Sequence, residues 1–184
     1  VGRGAAYADI DNDGDLDYIA ARYNPGQVIW LEQPAHGLTE RWAAHLIDET
    51  IHGIHGLMKG DIGNDGQWEL FATSAQPKEP YPESLVWFAV PENPRQAGRW
   101  KLNVFADRDA PGLTHYIGVG DINGDGLLDA ATGAKGGPRS VSRGEWFAWW
   151  ESPLDPTGPW VKHSVSDKEP GATNIHPVDV NGDG

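Results

Sequence analysis

An all-β fold assembled from repeated four-stranded sheets is what this sequence predicts, and three observations predict it. Gly (24) and Pro (14) make up about a fifth of the 184 residues, yet nine Trp accompany them. That pairing speaks for a turn-rich globular protein and against disorder. Nowhere does a helical apolar period extend beyond about two turns, so helices should be minor. The third observation, an internal repeat, carries most of the weight.

Four segments echo one another: Asp9-Ile-Asp-Asn-Asp-Gly-Asp-Leu-Asp17, Asp61-Ile-Gly-Asn-Asp-Gly-Gln-Trp-Glu69, Asp121-Ile-Asn-Gly-Asp-Gly-Leu-Leu-Asp129 and Asp179-Val-Asn-Gly-Asp-Gly184. Their first residues stand 52, 60 and 58 positions apart, a period typical of repeat architectures. A Trp four residues before a Pro recurs in Trp30 to Pro34, Trp87 to Pro91 and Trp149 to Pro153. A second Trp, at Trp42, Trp100 and Trp160, opens a segment closed by Asp48, Asp107 and Asp167. The order of these features never changes.

Each unit reads as four short strands. The first leads into the acidic loop (Gly56 to Gly60, Tyr116 to Gly120) and the second leaves it (Leu16 to Ala21, Leu70 to Thr73, Leu128 to Ala131). The Trp-to-Pro strand is third and the Trp-to-Asp strand fourth. Val28, Ile29, Trp30 and Leu31 are apolar on both faces of their strand, which predicts cover from both sides. A four-stranded sheet covered on both faces and repeated radially is a propeller blade. The expected architecture is a single β-propeller region, 1–184, with blade units at 1–50, 51–109, 110–168 and a partial unit at 169–184. That makes about three and a half blades where closed propellers need roughly four to eight. The expectation is a part of a larger propeller, completed by further blades of a parent chain or by other chains.

Charge narrows the partners. There are 27 acids against 14 Lys and Arg, for a net charge of −13, so nucleic acid and anionic membrane surfaces are poor partners. No apolar run is long enough to span a bilayer as a helix, so no membrane insertion is expected. Cysteine is absent, which removes disulfides and Cys-ligated metal centres. The acids are also concentrated. Setting aside the 13 in the four repeated loops leaves 14 acids against 14 bases, so the net charge resides in the loops.

Oxygen donors at positions 1, 3, 5 and 9, with Gly at 6, suit a hard cation such as calcium. Alternate side chains converge, position 7 offers its backbone carbonyl, and Gly permits the sharp turn. Loop one supplies Asp9, Asp11, Asp13 and Asp17, with Asp15 at the carbonyl position. Loop three supplies Asp121, Asn123, Asp125 and Asp129. Loop two keeps Asp61, Asp65 and Glu69 but has Gly63 at position 3, and loop four shows Asp179, Asn181 and Asp183. The expectation is about two to four calcium ions per chain. An EF-hand would need a bidentate Glu at position 12 and flanking helices, but position 12 is Ala20, Ala72 or Thr132 and the flanks are strand-like. A metal-free Asp/Asn/Gly turn is the plainer alternative, strongest for loop two.

The Asp-x-Asp/Asn-x-Asp-Gly-x-x-Asp loop between the first two strands of a blade resembles the FG-GAP/VCBS repeats of calcium-dependent β-propellers. Such repeats occur in integrin α-subunit propellers, in propeller lectins and in some carbohydrate-active enzymes. The resemblance covers nearly the whole chain, although Phe-Gly and Gly-Ala-Pro elements are not present as such. The longer Trp-bearing unit is similar to propellers of fungal aldos-2-ulose dehydratase and of rhamnogalacturonan lyases. The FG-GAP/VCBS resemblance implies Asp9, Asp11, Asp13, Asp17, Asp121, Asn123, Asp125 and Asp129 as ligands, a parent of about seven blades, and a secreted or cell-surface location.

Two functional readings follow. The first is a binding or scaffold module for carbohydrate or protein. The second is a carbohydrate lyase or dehydratase using His52, His55, His115 or His176, which fall near the start of successive innermost strands. There they could share a transition metal such as zinc or act as acid and base; a polar channel lining needs no chemistry. His45 and His163, in register with the repeat, read as structural, and His36 as solvated. The in-register Trp residues and Trp68 read as packing between blades, and Trp146 and Trp150 as core rather than sugar platform. Loops 76–82 and 134–143 are the first places to look for specificity.

Overall fold

The computed structural model describes residues 2–35, 39–135, 146–168 and 174–182. Twelve strands and no helix occur among them, in three four-stranded antiparallel sheets. The first sheet holds β1 (Gly2–Ala8), β2 (Asp17–Arg22), β3 (Gln27–Glu32) and β4 (Ala43–Asp48). The second holds β5 (Ile54–Gly60), β6 (Glu69–Ser74), β7 (Leu85–Ala89) and β8 (Lys101–Ala106). The third holds β9 (Thr114–Gly120), β10 (Asp129–Ala134), β11 (Trp146–Glu151) and β12 (Val161–Ser166). Within each sheet the strands lie in chain order, as the repeat predicts.

The register repeats as well. The residues flanking each acidic loop pair as Ala8 with Asp17, Gly60 with Glu69 and Gly120 with Asp129. The repeated Trp stands opposite Ile19, Phe71 and Ala131 on one side and His45, Asn103 and His163 on the other. Each third-to-fourth strand pair also carries a register shift at the same place, near Val28, Leu85 and Phe147.

The sheets pack face to face. Because successive side chains of a strand point to opposite faces, β7 serves two interfaces. Val86 and Phe88 join Ile19, Val28, Trp30 and Ile47 in a core between the first and second sheets. Leu85 and Trp87 join Phe105, Ile117, Ala148 and Trp150 in a core between the second and third. Among the described residues, only the middle sheet is thus covered on both sides. β3 was expected to be, but Val28 and Trp30 are buried while Ile29 and Leu31 are half-buried, since that face lies on the outer side of the first sheet.

The Trp residues follow the same logic. Trp30, Trp87, Trp100 and Trp160 are buried at the two interfaces, whereas Trp42 and Trp149, at equivalent positions on the outer sides, are half-buried. Trp150 is core, and Trp146 packs against it with its indole N–H donating to the Pro111 carbonyl at 2.8 Å.

First strands of successive sheets lie side by side, β1 against β5 and β5 against β9. Glycine makes that approach feasible. A Cβ on Gly4 would stand 2.8 Å from the His55 carbonyl oxygen, and one on Gly56 2.8 Å from that of His115. Next to β9, a Cβ on Gly118 would stand 2.6 Å from the carbonyl oxygen of Ile175. Residues 174–178, just before loop four, therefore lie where a further first strand would.

Candidate metal centres

The acidic loops share one local construction. The first Asp folds its carboxylate back onto backbone N–H groups. Asp9 accepts from Asp13 and Gly14, Asp61 from Asp65 and Gly66, and Asp121 from Gly124, Asp125 and Gly126. In loop four Asp179 accepts from Asn181 and Gly182, while Asp183 lies outside the described residues. Two residues per complete loop have positive φ: Asn12 and Gly14, Asn64 and Gly66, Gly124 and Gly126. The Gly at position 6 was legible in the sequence. The left-handed residue at position 4 was not singled out, although Asn or Gly stands there in all four copies.

Loop one gathers its acids most tightly. Asp9, Asp11 and Asp13 each place a carboxylate oxygen within 4.8 Å of the others, the only such group of three His, Cys, Asp or Glu among the described residues. The Asp11 side chain is 3 % exposed, and its Oδ1 finds no hydrogen-bond donor there. Burial pushes the Asp11 carboxyl above its ordinary range, with the neighbouring Asp17 and Asp13 adding to the rise against the pull of Arg95. An orphaned, buried carboxylate oxygen among two further carboxylates is a donor set that fits a hard cation.

The ninth-position acids do something else. Asp17 lies outside the trio and accepts from the N–H of Ile10 at 3.2 Å and of Gln33 at 2.8 Å. Asp129, fully buried, accepts from Ile122 at 3.0 Å and Ser152 at 2.9 Å. Glu69 accepts from Ile62. Each ties the start of its loop to the second strand, and the two aspartates also hold the residue just after the third strand. Burial raises the carboxyl pKa of all three. In loop three, Asn123 and Asp125 hydrogen-bond each other's side chains at 3.0 Å, and in loop two Gly63 leaves position 3 without a donor side chain. Asp15 contributes its N–H to Asp13 Oδ1.

A residue that no motif singled out enters loop one from another sheet. Arg95, in the connection between β7 and β8, places Nη2 2.6 Å from Asp11 Oδ2 and 2.9 Å from Asp13 Oδ2, while Nε donates to Glu32 Oε1 at 2.8 Å. Glu32 Oε2 is in turn 2.7 Å from His45 Nε2, and the His45 ring stacks on Trp30 at 4.2 Å. The third sheet repeats the latter part, with Glu151 2.7 Å from His163 and His163 stacked on Trp149 at 4.2 Å. His45 and His163 are structural in this sense, as their register suggested.

The remaining histidines divide. His55 of β5 is 5 % exposed, stacks on Tyr23 at 4.8 Å and meets His115 of β9 edge-on at 4.3 Å. His52 is half-buried in the turn before β5, and burial together with the charge of Lys78 lowers its pKa. His176 is exposed and lines a groove of about 700 Å³ on the outer side of the third sheet, beside Trp149 and Asp121. Of the two loops expected to build specificity, 76–82 is described and is held by the Arg108–Glu79 ion pair at 2.8 Å, while most of 134–143 lies outside the described residues, as does His36.

Together these features define an all-β repeat protein of propeller-like blades whose first hairpin in each unit carries an acid-rich loop. Residues 9–72 match the family model described as FG-GAP-like repeat, from the first Asp of loop one into β6. The match supports the FG-GAP family for the repeat this stretch carries. No curated protein matches the chain.

Proposed function

We propose that this chain is the repeat module of a calcium-stabilised, extracellular β-propeller that binds carbohydrate or protein. One observation carries the metal part: the buried Asp11 carboxylate, with an oxygen lacking a hydrogen-bond donor among the described residues, between Asp9 and Asp13. Asp9, Asp11 and Asp13 would hold the ion in loop one, and Asp121, Asn123 and Asp125 in loop three. Bound calcium would neutralise carboxylates that otherwise repel, stapling the first hairpin of those two blades in a chain without cysteine. The half-buried Trp42 and Trp149, at positions buried elsewhere in the repeat, favour further blades on both outer sides. A calcium dependence of this kind suits the calcium-rich space outside the cell, and loops carried on a rigid sheet scaffold suit a binding surface.

The deciding experiment is elemental analysis after exhaustive dialysis, paired with thermal melting in calcium and in chelator. About two to four calcium ions per chain and a markedly lower melting temperature in chelator are expected. A calcium-free protein whose melting ignores the chelator would overturn the metal assignment. Binding of the intact protein to a glycan array against a panel of extracellular proteins separates the two ligand classes.

A further inference from the structure

Arg95 lies on the oxygens that loop one would offer to a cation. We propose that Arg95 is a tethered competitor for the divalent ion of loop one, so that filling this loop displaces its guanidinium from Asp11 and Asp13. The inference rests on the calcium reading above. Its guanidinium contacts Asp11 Oδ2 and Asp13 Oδ2 at 2.6 and 2.9 Å, so an ion taking these oxygens meets a fixed positive charge beside them. Two cations sharing one pair of carboxylates disfavour each other, and differential affinity for the held and released states couples them.

The rest of the arrangement fits a release. Arg95 keeps an anchor in Glu32, itself held by His45 on the Trp30 ring, so the guanidinium can leave the aspartates without losing every partner. Its side chain is 47 % exposed, which leaves room to swing into water. The chain also contains its own control. In Pro91-Glu-Asn-Pro94-Arg95 and Pro153-Leu-Asp-Pro156-Thr157 the repeat aligns Arg95 with Thr157. The cation thus accompanies the loop with Asp11 at position 3, and Thr157 accompanies loop two, where position 3 is Gly63.

Calcium titration calorimetry on the whole chain tests this with three proteins: the natural chain, Arg95→Gln and Asp11→Asn. Asp11→Asn should remove one binding step and thereby identify loop one. Arg95→Gln should tighten that same step about five- to tenfold, within the usual range of coupling, and leave the other steps unchanged. The guanidinium Nε–H resonance absent from Arg95→Gln should shift in the natural chain as calcium is added. Melting in chelator verifies that both variants fold. An Arg95→Gln step that is unchanged or weaker overturns the competitor role while the calcium reading stands. A chain that binds no calcium, or whose isotherm ignores Asp11→Asn, overturns the loop-one reading and the competitor with it.

Discussion

Gly56 of β5 and His115 of β9 meet backbone to backbone, so closely that a Cβ on Gly56 would lie 2.8 Å from the His115 carbonyl oxygen and 2.8 Å from Tyr116 Cα. Neither obstacle is the end of a flexible side chain. The contact joins the innermost strands of two sheets and sits beside the His55–His115 ring pair.

Gly56→Ala should therefore destabilise the fold by about 1–3 kcal/mol or more, the usual cost of overpacking a site that cannot relax. Gly98→Ala is the control, since nothing lies within 4 Å of a Cβ there. Urea unfolding of both variants measures the difference; equal midpoints would mean the two strands stand further apart than described.

Asp129 separates scaffold from ligand. Asp129→Ala removes the acceptor of two backbone N–H groups, those of Ile122 and Ser152. Leaving buried donors unmet costs about 2–4 kcal/mol in total. Denaturant unfolding should show that loss equally in calcium and in chelator. A loss that vanishes in chelator would instead make Asp129 chiefly a metal ligand.

His52 predicts the sign of a pH dependence. Burial, then the charge of Lys78, lowers its pKa below the ordinary 6.5, against weaker support for the proton from the Pro25 carbonyl and Asp48. The unfolded chain thus takes up the proton first. The stability contributed by neutral His52 is complete above the unfolded value and is lost as pH falls through the folded one. Melting of the natural chain should decline between about pH 7 and 5 more steeply than that of His52→Gln. Parallel pH profiles would show that His52 titrates normally.

The repeat was legible because its determinants are local. Acids at alternate positions with Gly at position 6, and a Trp four residues before a Pro, are spacings within one hairpin, and the strands fall where those spacings put them. Other features lay out of reach for a physical reason. The Asp17 and Asp129 carboxylates match the other loop acids in type and spacing, yet backbone N–H groups claim both of their oxygens. Their burial, which sets that role, depends on packing. Arg95 was invisible because 82 residues separate it from Asp13, and only the stacking of the second sheet on the first brings them together. His55, His115 and His176 shared one expectation from spacing, but the first two are gathered into a ring pair and the third lies exposed at the outer groove.

Periodicity within the chain was therefore sufficient for an all-β, four-stranded repeating unit with an acid-rich loop in each, since strand alternation and turn geometry act over a few residues. Which face of each sheet is covered, which carboxylate is orphaned and which cation lies beside it were decided by tertiary packing. Those properties arise where one sheet meets the next, and no spacing along a single strand encodes the neighbour.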